Sequence, residues 1–223
     1  MEFESFVLAA VTADLEQEPA ARATADAIEF RMDLAAAPLD QLRAYDGALP
    51  VIATNRVETE GGDAPDEPSR IEDLVTAASI SAVEAVDIEA AALHAEAADD
   101  LPDPGSDVGR IVSAHDFAAT PGTEEMAATL RAAARAGDVG KLAVTATDPA
   151  DVLALLEVTQ ELTASGLTVA TMAMGEAGQH SRAVAPLYGS RIGYAPVSAD
   201  AATAPGQFDL ATLRTLVETL GVP

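Results

Sequence analysis

Short apolar runs recur along the chain, each separated from the next by an amphipathic, alanine-rich segment. Runs of this length, bounded by Gly, Pro, Asp or Asn, read as buried strands. Eight stand out: SFVLAAVT (5–12), AIEFRMDL (27–34), LPVIATNR (49–56), EAVDIEA (84–90), GRIVSAHDF (109–117), VGKLAVTA (139–146), LTVATMAM (167–174) and SRIGYAPV (190–197). The segments between them carry helix signals. Asp148-Pro149 ahead of ADVLALLEVTQELTASG predicts a helix with Asp148 as cap, proline in its first turn and Gly166 as stop. Thr120-Pro121 predicts a similar start, with Glu124 and Glu125 where the helix dipole favours acids. PSRIEDLVTAASISA (68–82) has its apolar residues at helical spacing.

Strand–helix alternation predicts a parallel sheet. Eight such units with no inserted domain favour a closed (β/α)8 barrel, a TIM barrel forming a single domain over 1–223, above an open doubly wound sheet. No Gly-x-Gly-x-x-Gly follows the first run, which counts against a dinucleotide-binding sheet. Two acidic loops punctuated by Pro and Gly, 58–69 and 96–109, read as solvated.

Barrel chemistry gathers at the C-terminal ends of strands, and the polar residues of this chain fall there repeatedly. Glu29, Arg31 and Asp33 sit at i, i+2 and i+4, as one strand face requires, and Asp87 and Glu89 repeat the pattern. Thr54 and Arg56, Ser113 and His115, and Met172 and Met174 close three further strands. Charges pointing into a barrel need partners. For Asp33, Asp87 and Glu89 an internal ion-pair network and a direct role stand level; Glu29 and Arg31 read as binding residues.

Composition sharpens one position. Basic residues number 12 against 37 acidic, a net charge of −25, and Lys141 is the sole lysine. Such a field repels nucleic acid and anionic membrane surfaces. It suits very high salt, where charges are screened within a few ångströms. The chain contains no cysteine, which excludes disulfides and thiolate chemistry. The N-terminus shows neither a basic leader nor a cleavage site, and no run approaches the ~18 apolar residues of a membrane span, so a cytoplasmic protein is expected.

A lysine kept in the run VGKLAVTA, where every other lysine has gone, asks for a reason. Burial favours a neutral amine, which attacks ketones and aldehydes to form imines. The alternative is an ammonium paired with a strand carboxylate; arginine would serve that as well, so the imine role is favoured. His115 alone of the three histidines ends a strand, and no His-based metal spacing exists. A strand-end histidine beside a strand-end lysine suggests acid–base catalysis next to an imine. The turn MAMGEAGQHSR, with Arg182, is a candidate anion site, and TAPGQ (203–207) a candidate lid carrying Gln207.

Taken together, E-x-R-x-D (29–33), T-x-R with EGG (54–62), VDIE (86–89), SAHDF…TP (113–121), GKLAVTATDPADVLALL (140–156), MAMGEAGQHSR (172–182), YGS (188–190) and APGQ (204–207) resemble type I 3-dehydroquinate dehydratase, the Schiff-base enzyme of the shikimate pathway. The runs keep family order over nearly the whole chain. The resemblance implies that Lys141 forms an imine with the ring ketone of 3-dehydroquinate. It implies that His115 moves the C2 proton and assists the departing hydroxyl, with Glu60 orienting it. It assigns the substrate carboxylate to Arg182, helped by Thr203 and Gln207 of the lid, and the ring hydroxyls to Glu29, Arg31 and Arg56. Met172, Met174 and Tyr194 would wall the ring. No metal, no organic cofactor and a homodimer are implied. Thr203 stands where a serine is frequent, Tyr194 where phenylalanine is common, and Ala9 or Ala10 where some members place a serine. Another Schiff-base barrel such as a class I aldolase, and a non-catalytic carboxylate-binding barrel, are the competing expectations.

Overall fold

The computed structural model describes residues 1–65, 68–197 and 207–222. Eight parallel strands form one sheet among these residues: β1 (Val7–Thr12), β2 (Ala27–Arg31), β3 (Val51–Thr54), β4 (Val83–Glu89), β5 (Gly109–Asp116), β6 (Val139–Thr145), β7 (Val169–Met174) and β8 (Ile192–Pro196). Neighbours in sequence are neighbours in space from β1 to β7, and β8 pairs with β1. The remaining seam, β7 against β8, is closed by one bridge between Val169 and Ser190. There Arg191 N donates to Val169 O at 2.8 Å, and Thr171 N to Ser190 Oγ at 2.9 Å. The result is a (β/α)8 barrel.

Helices α1 (Glu18–Ala21), α2 (Pro38–Ala44), α3 (Pro68–Ala78), α4 (Thr123–Ala136), α5 (Pro149–Ala164), α6 (Ser181–Val184) and α7 (Leu210–Thr219) complete the described chain. Outward-facing strand residues such as Ile28, Phe30, Val86 and Ile88 pack with Leu42, Ile71, Leu74 and Leu213. Leu142, Val144 and Val169 pack with Leu130, Leu155 and Leu162. α5 starts as its sequence dictates: Asp148 accepts from Ala150 N and Asp151 N, and Asp151 caps back in a capping box. Gly166, at φ +87°, follows its end.

Several local expectations are corrected. α4 begins at Thr123 with Gly122 as an N-cap that offers no side chain. Thr120 Oγ1 instead donates to Thr145 O at 2.9 Å and ties the loop to β6. Asp33 lies past the end of β2, in the 3-10 turn Met32–Leu34. Between β4 and β5 the chain makes two 3-10 turns in place of an α-helix, and Ala98 and Leu101 are buried there, so the loop 96–109 is solvated only in part. The loop 58–69, read as solvated, places Glu60 and Gly61 in the barrel mouth.

The pleat explains where the polar residues go. Inward positions are apolar at the lower end of each strand: Ala27, Ile52, Ala85, Ile111, Val139, Ala170 and Ile192 share one cluster with Phe3. One pleat higher, the same rows become Glu29, Thr54, Asp87, Ser113 and Lys141. Side chains two residues apart share a strand face, so a hydrophobic plug supports a charged layer. Gly140, the outward neighbour of Lys141, lets α4 lie against β6; a Cβ there would meet Ala134 N at 2.6 Å.

Candidate active site

The cleft at the C-terminal mouth of the barrel is lined on one side by Glu29, Arg31, Arg56, Glu60 and His115. Met172, Met174, Tyr194, Arg182 and Gln207 line the other, and Lys141 lies between. One wall is therefore charged and the other largely apolar. Gly61, Phe117 and Ala143 complete the lining.

Lys141 is buried, and its Nζ is surrounded by electron-rich groups. It donates to Asp87 Oδ2 at 2.8 Å, lies 3.7 Å from Glu29 Oε1 and sits 4.1 Å from the centre of the Tyr194 ring. The ion pair that sequence reasoning disfavoured for this lysine is thus present. Beneath it, the Arg56 fork donates to Asp87 Oδ1 at 2.8 Å, Glu89 Oε1 at 2.9 Å and Ser113 Oγ at 2.7 Å. Burial opposes ionisation of Asp87, yet Arg56 and Lys141 outweigh it and hold this carboxyl far below the usual range. Asp87 and Glu89 are therefore members of an internal ion-pair network. Asp33 serves another pair, accepting both arms of Arg31 at 2.8 and 2.6 Å.

His115 stands one pleat above Lys141's partner residue on β5, since Ser113 pairs with Lys141 and His115 with Ala143. Its Nδ1 lies 2.9 Å from Glu60 Oε2, which also accepts the His115 backbone N–H at 3.1 Å. With the ring proton on Nδ1 and facing Glu60, Nε2 keeps its lone pair. Burial, with Arg56 and Lys141 nearby, pushes the imidazole well below its usual pKa, so it is a neutral base near neutral pH. Burial pushes Glu60 the other way, up to about 7, against the pull of Arg56. Two groups poised around one shared proton make an acid–base pair. The Phe117 ring stacks against His115, with centres 6.3 Å apart, and covers Gly61 so closely that a Cβ there would meet it at 2.3 Å.

Arg182 differs from the other buried cations. It makes no ion pair among the described residues, its Nε has no hydrogen-bond partner, and burial lowers its pKa to about 10. A desolvated guanidinium without an anion is a ready receptor for a carboxylate. The Tyr194 hydroxyl is likewise buried without a partner among the described residues, and burial raises its pKa well above the usual value.

The cleft brings together Lys141, His115, Glu60, Glu29, Arg31, Arg56, Arg182, Gln207, Met172, Met174 and Tyr194, eleven of the residues expected from sequence. Thr203 lies outside the described residues, as does most of the candidate lid. Phe117, missed as a site residue, sits in the SAHDF run, where an aromatic just past a strand end was a usable signal. His94 and His180 are exposed and do not line the cleft.

Comparison with known proteins agrees with this geometry. The family model described as Type I 3-dehydroquinase matches residues 5–222. The 3-dehydroquinate dehydratase of Haloarcula marismortui is 56% identical, covering 99% of this chain and 98% of that protein. That of Halobacterium salinarum is 52% identical, covering 99% and 100%. The crystal structure of 3-dehydroquinate dehydratase from Geobacillus kaustophilus superimposes with a TM-score of 0.79 at 28% identity, covering 98% of this chain and 92% of that one. Neither an aldolase nor a non-catalytic barrel is what these matches point to. A barrel with this order of strand-end residues, matched over nearly its full length, belongs to the type I 3-dehydroquinase family.

Proposed function

We propose that the chain removes water from 3-dehydroquinate to give 3-dehydroshikimate through an imine on Lys141. The observation that carries this is the meeting of three unlike groups in one cleft: the sole lysine amine, the His115–Glu60 pair and the Arg182 guanidinium, which makes no ion pair among the described residues.

Arg182 takes the substrate carboxylate, with Gln207 beside it, and so sets the ring between the methionine wall and the charged wall. Glu29, Arg31 and Arg56 face the ring hydroxyls. The amine of Lys141 adds to the C3 ketone, and loss of water from the adduct leaves a protonated imine. His115 Nε2 then removes a proton from C2. The C–H electron pair moves into the imine, giving an enamine. The enamine expels the C1 hydroxyl, which leaves as water after taking the proton from His115. One base serving both bonds from one side gives a syn elimination. Water then hydrolyses the conjugated imine and restores the amine. Asp87 lies beside Nζ throughout and faces each cationic form of the nitrogen.

The same reading includes a cytoplasmic homodimer; among the described residues no helix is long and apolar enough to cross a membrane. Sedimentation at high salt tests the dimer. For the reaction, the test is the absorbance of the conjugated product on incubation with 3-dehydroquinate, set against Lys141→Ala. The variant is expected to stay folded and lose turnover. Retention of most activity would refute the mechanism.

A further inference from the structure

Six buried side chains of alternating charge run from α3 through the barrel wall to the reactive lysine. Arg70 Nη1 donates to Glu89 Oε2 at 2.8 Å, and Glu89 Oε1 accepts from Arg56 Nη1 at 2.9 Å. Arg56 Nη2 donates to Asp87 Oδ1 at 2.8 Å, Asp87 Oδ2 accepts from Lys141 Nζ at 2.8 Å, and Glu29 lies 3.7 Å beyond. Three cations face three carboxylates, and all six are buried.

Arg70 is the odd member. It belongs to α3, outside the sheet, and lines no part of the cleft. Its Nη1 also reaches Asn55 O at 2.8 Å, but its Nε and Nη2 are buried without a partner among the described residues. An apolar side chain would spare these two donors, at the cost of leaving Glu89 Oε2 and Asn55 O without the partner that Arg70 provides. What arginine supplies there is its charge, placed on Glu89.

We propose that Arg70 is a positioning residue for the reaction, acting through Glu89. By neutralising one oxygen of Glu89, it leaves that carboxylate drawing less on the Arg56 fork, which Glu89 shares with Asp87 and Ser113, and so sets the field at Lys141 and His115. The proposal rests on the imine reading above. Val57 N donates to the same Glu89 oxygen as Arg56, at 3.1 Å, so the effect extends to the start of the turn that bears Glu60.

The sign of the effect is fixed by charge. His115 is faced by Glu60 from the turn after β3, Arg56 beyond β3, Asp87 on β4, Lys141 on β6 and Arg31 at the end of β2, while Glu89 on β4 acts on Glu60. Arg70 lies one contact outside this set, on Glu89; removing its charge leaves Glu89 less compensated and the surroundings more negative, which favours the protonated forms of His115 and Glu60. Buried groups are little screened by salt.

The experiment measures kcat/KM against pH for the unsubstituted protein, Arg70→Gln, Arg70→Lys, Glu89→Gln and the double variant, and follows the His115 imidazole by NMR without substrate. Arg70→Gln is expected to move the acid limb and the His115 titration to higher pH by about half a unit or more, while Arg70→Lys restores both. Glu89→Gln is expected to move them to lower pH, and adding Arg70→Gln to bring them back. This last comparison decides the matter if Arg70→Gln alone does not fold. Limbs and titration that stay in place, or an Arg70→Lys that behaves like Arg70→Gln, would overturn the proposal. Absence of turnover in the unsubstituted protein would instead refute the imine reading, and the NMR titration would still report on Arg70.

Discussion

The Lys141 amine lies 2.8 Å from Oδ2 of Asp87, whose other oxygen is held by Arg56 and Ser113. The one lysine of the chain is therefore both an ion-pair partner and the candidate nucleophile, and Asp87 joins the two roles. Replacing Asp87 by alanine leaves two buried cations facing each other. A loss of about 3–5 kcal/mol is expected, as for other buried pairs broken from one side, together with a fall in kcat. Denaturant unfolding at high salt measures the first. A change below about 1 kcal/mol would show that the network contributes little to stability.

Glu60 titrates at about 7 because burial disfavours its charge. As pH falls through that value, the carboxylate gains a proton and becomes an uncharged, weaker acceptor for His115 Nδ1–H, so kcat/KM is expected to decline below about pH 7. His115, held neutral by burial, adds no limb at higher pH. Glu60→Gln is expected to remove the limb and lower kcat by about 10²-fold or more, the range of general acid–base catalysis. A limb that persists in Glu60→Gln would assign it elsewhere.

Arg182 is buried and makes no ion pair among the described residues, so its charge weighs against the free protein and, on the proposed reading, serves the bound one. Arg182→Met is expected to raise KM by roughly 10- to 100-fold, the worth of a charge-assisted hydrogen bond. Thermal unfolding of the free protein should be unchanged or shifted upward. Marked destabilisation would instead mean that the guanidinium supports the fold.

The acidic surface makes a salt prediction. Among the described residues Glu18, Glu29, Asp33, Asp87 and Glu89 have buried carboxyl groups and Glu60 a partly buried one, so most of the remaining negative charge is carried at or near the surface. Lowering ionic strength from 1 M to 0.1 M lengthens the Debye length from about 3 to about 10 Å and exposes the self-repulsion. Loss of far-UV ellipticity at low salt is expected. Full stability there would contradict the high-salt reading.

How much of this was legible in the sequence depends on the range of the interaction. Strands were visible because an apolar run is a local signal, and α5 because Asp148, Pro149 and Gly166 act within a turn. The cap of α4 was misread because Thr120 bonds across to Thr145, a contact that no local pattern reveals. Lys141 stood out through composition, but its pairing with Asp87 depends on register between strands 54 residues apart in the chain. Arg70 gave no signal, since an arginine in an amphipathic helix looks solvated until the barrel turns it inward. Phe117 was hidden by exposure: an aromatic half in water earns its place only against Gly61 and His115.

The central claim is that Lys141 becomes covalently bound to substrate. Incubation with 3-dehydroquinate followed by borohydride reduction, then mass spectrometry of the digested protein, tests it directly, because a chain with one lysine leaves no ambiguity of assignment. The expected result is a single adduct on the peptide containing Lys141, absent from Lys141→Ala. Turnover without any such adduct would contradict it.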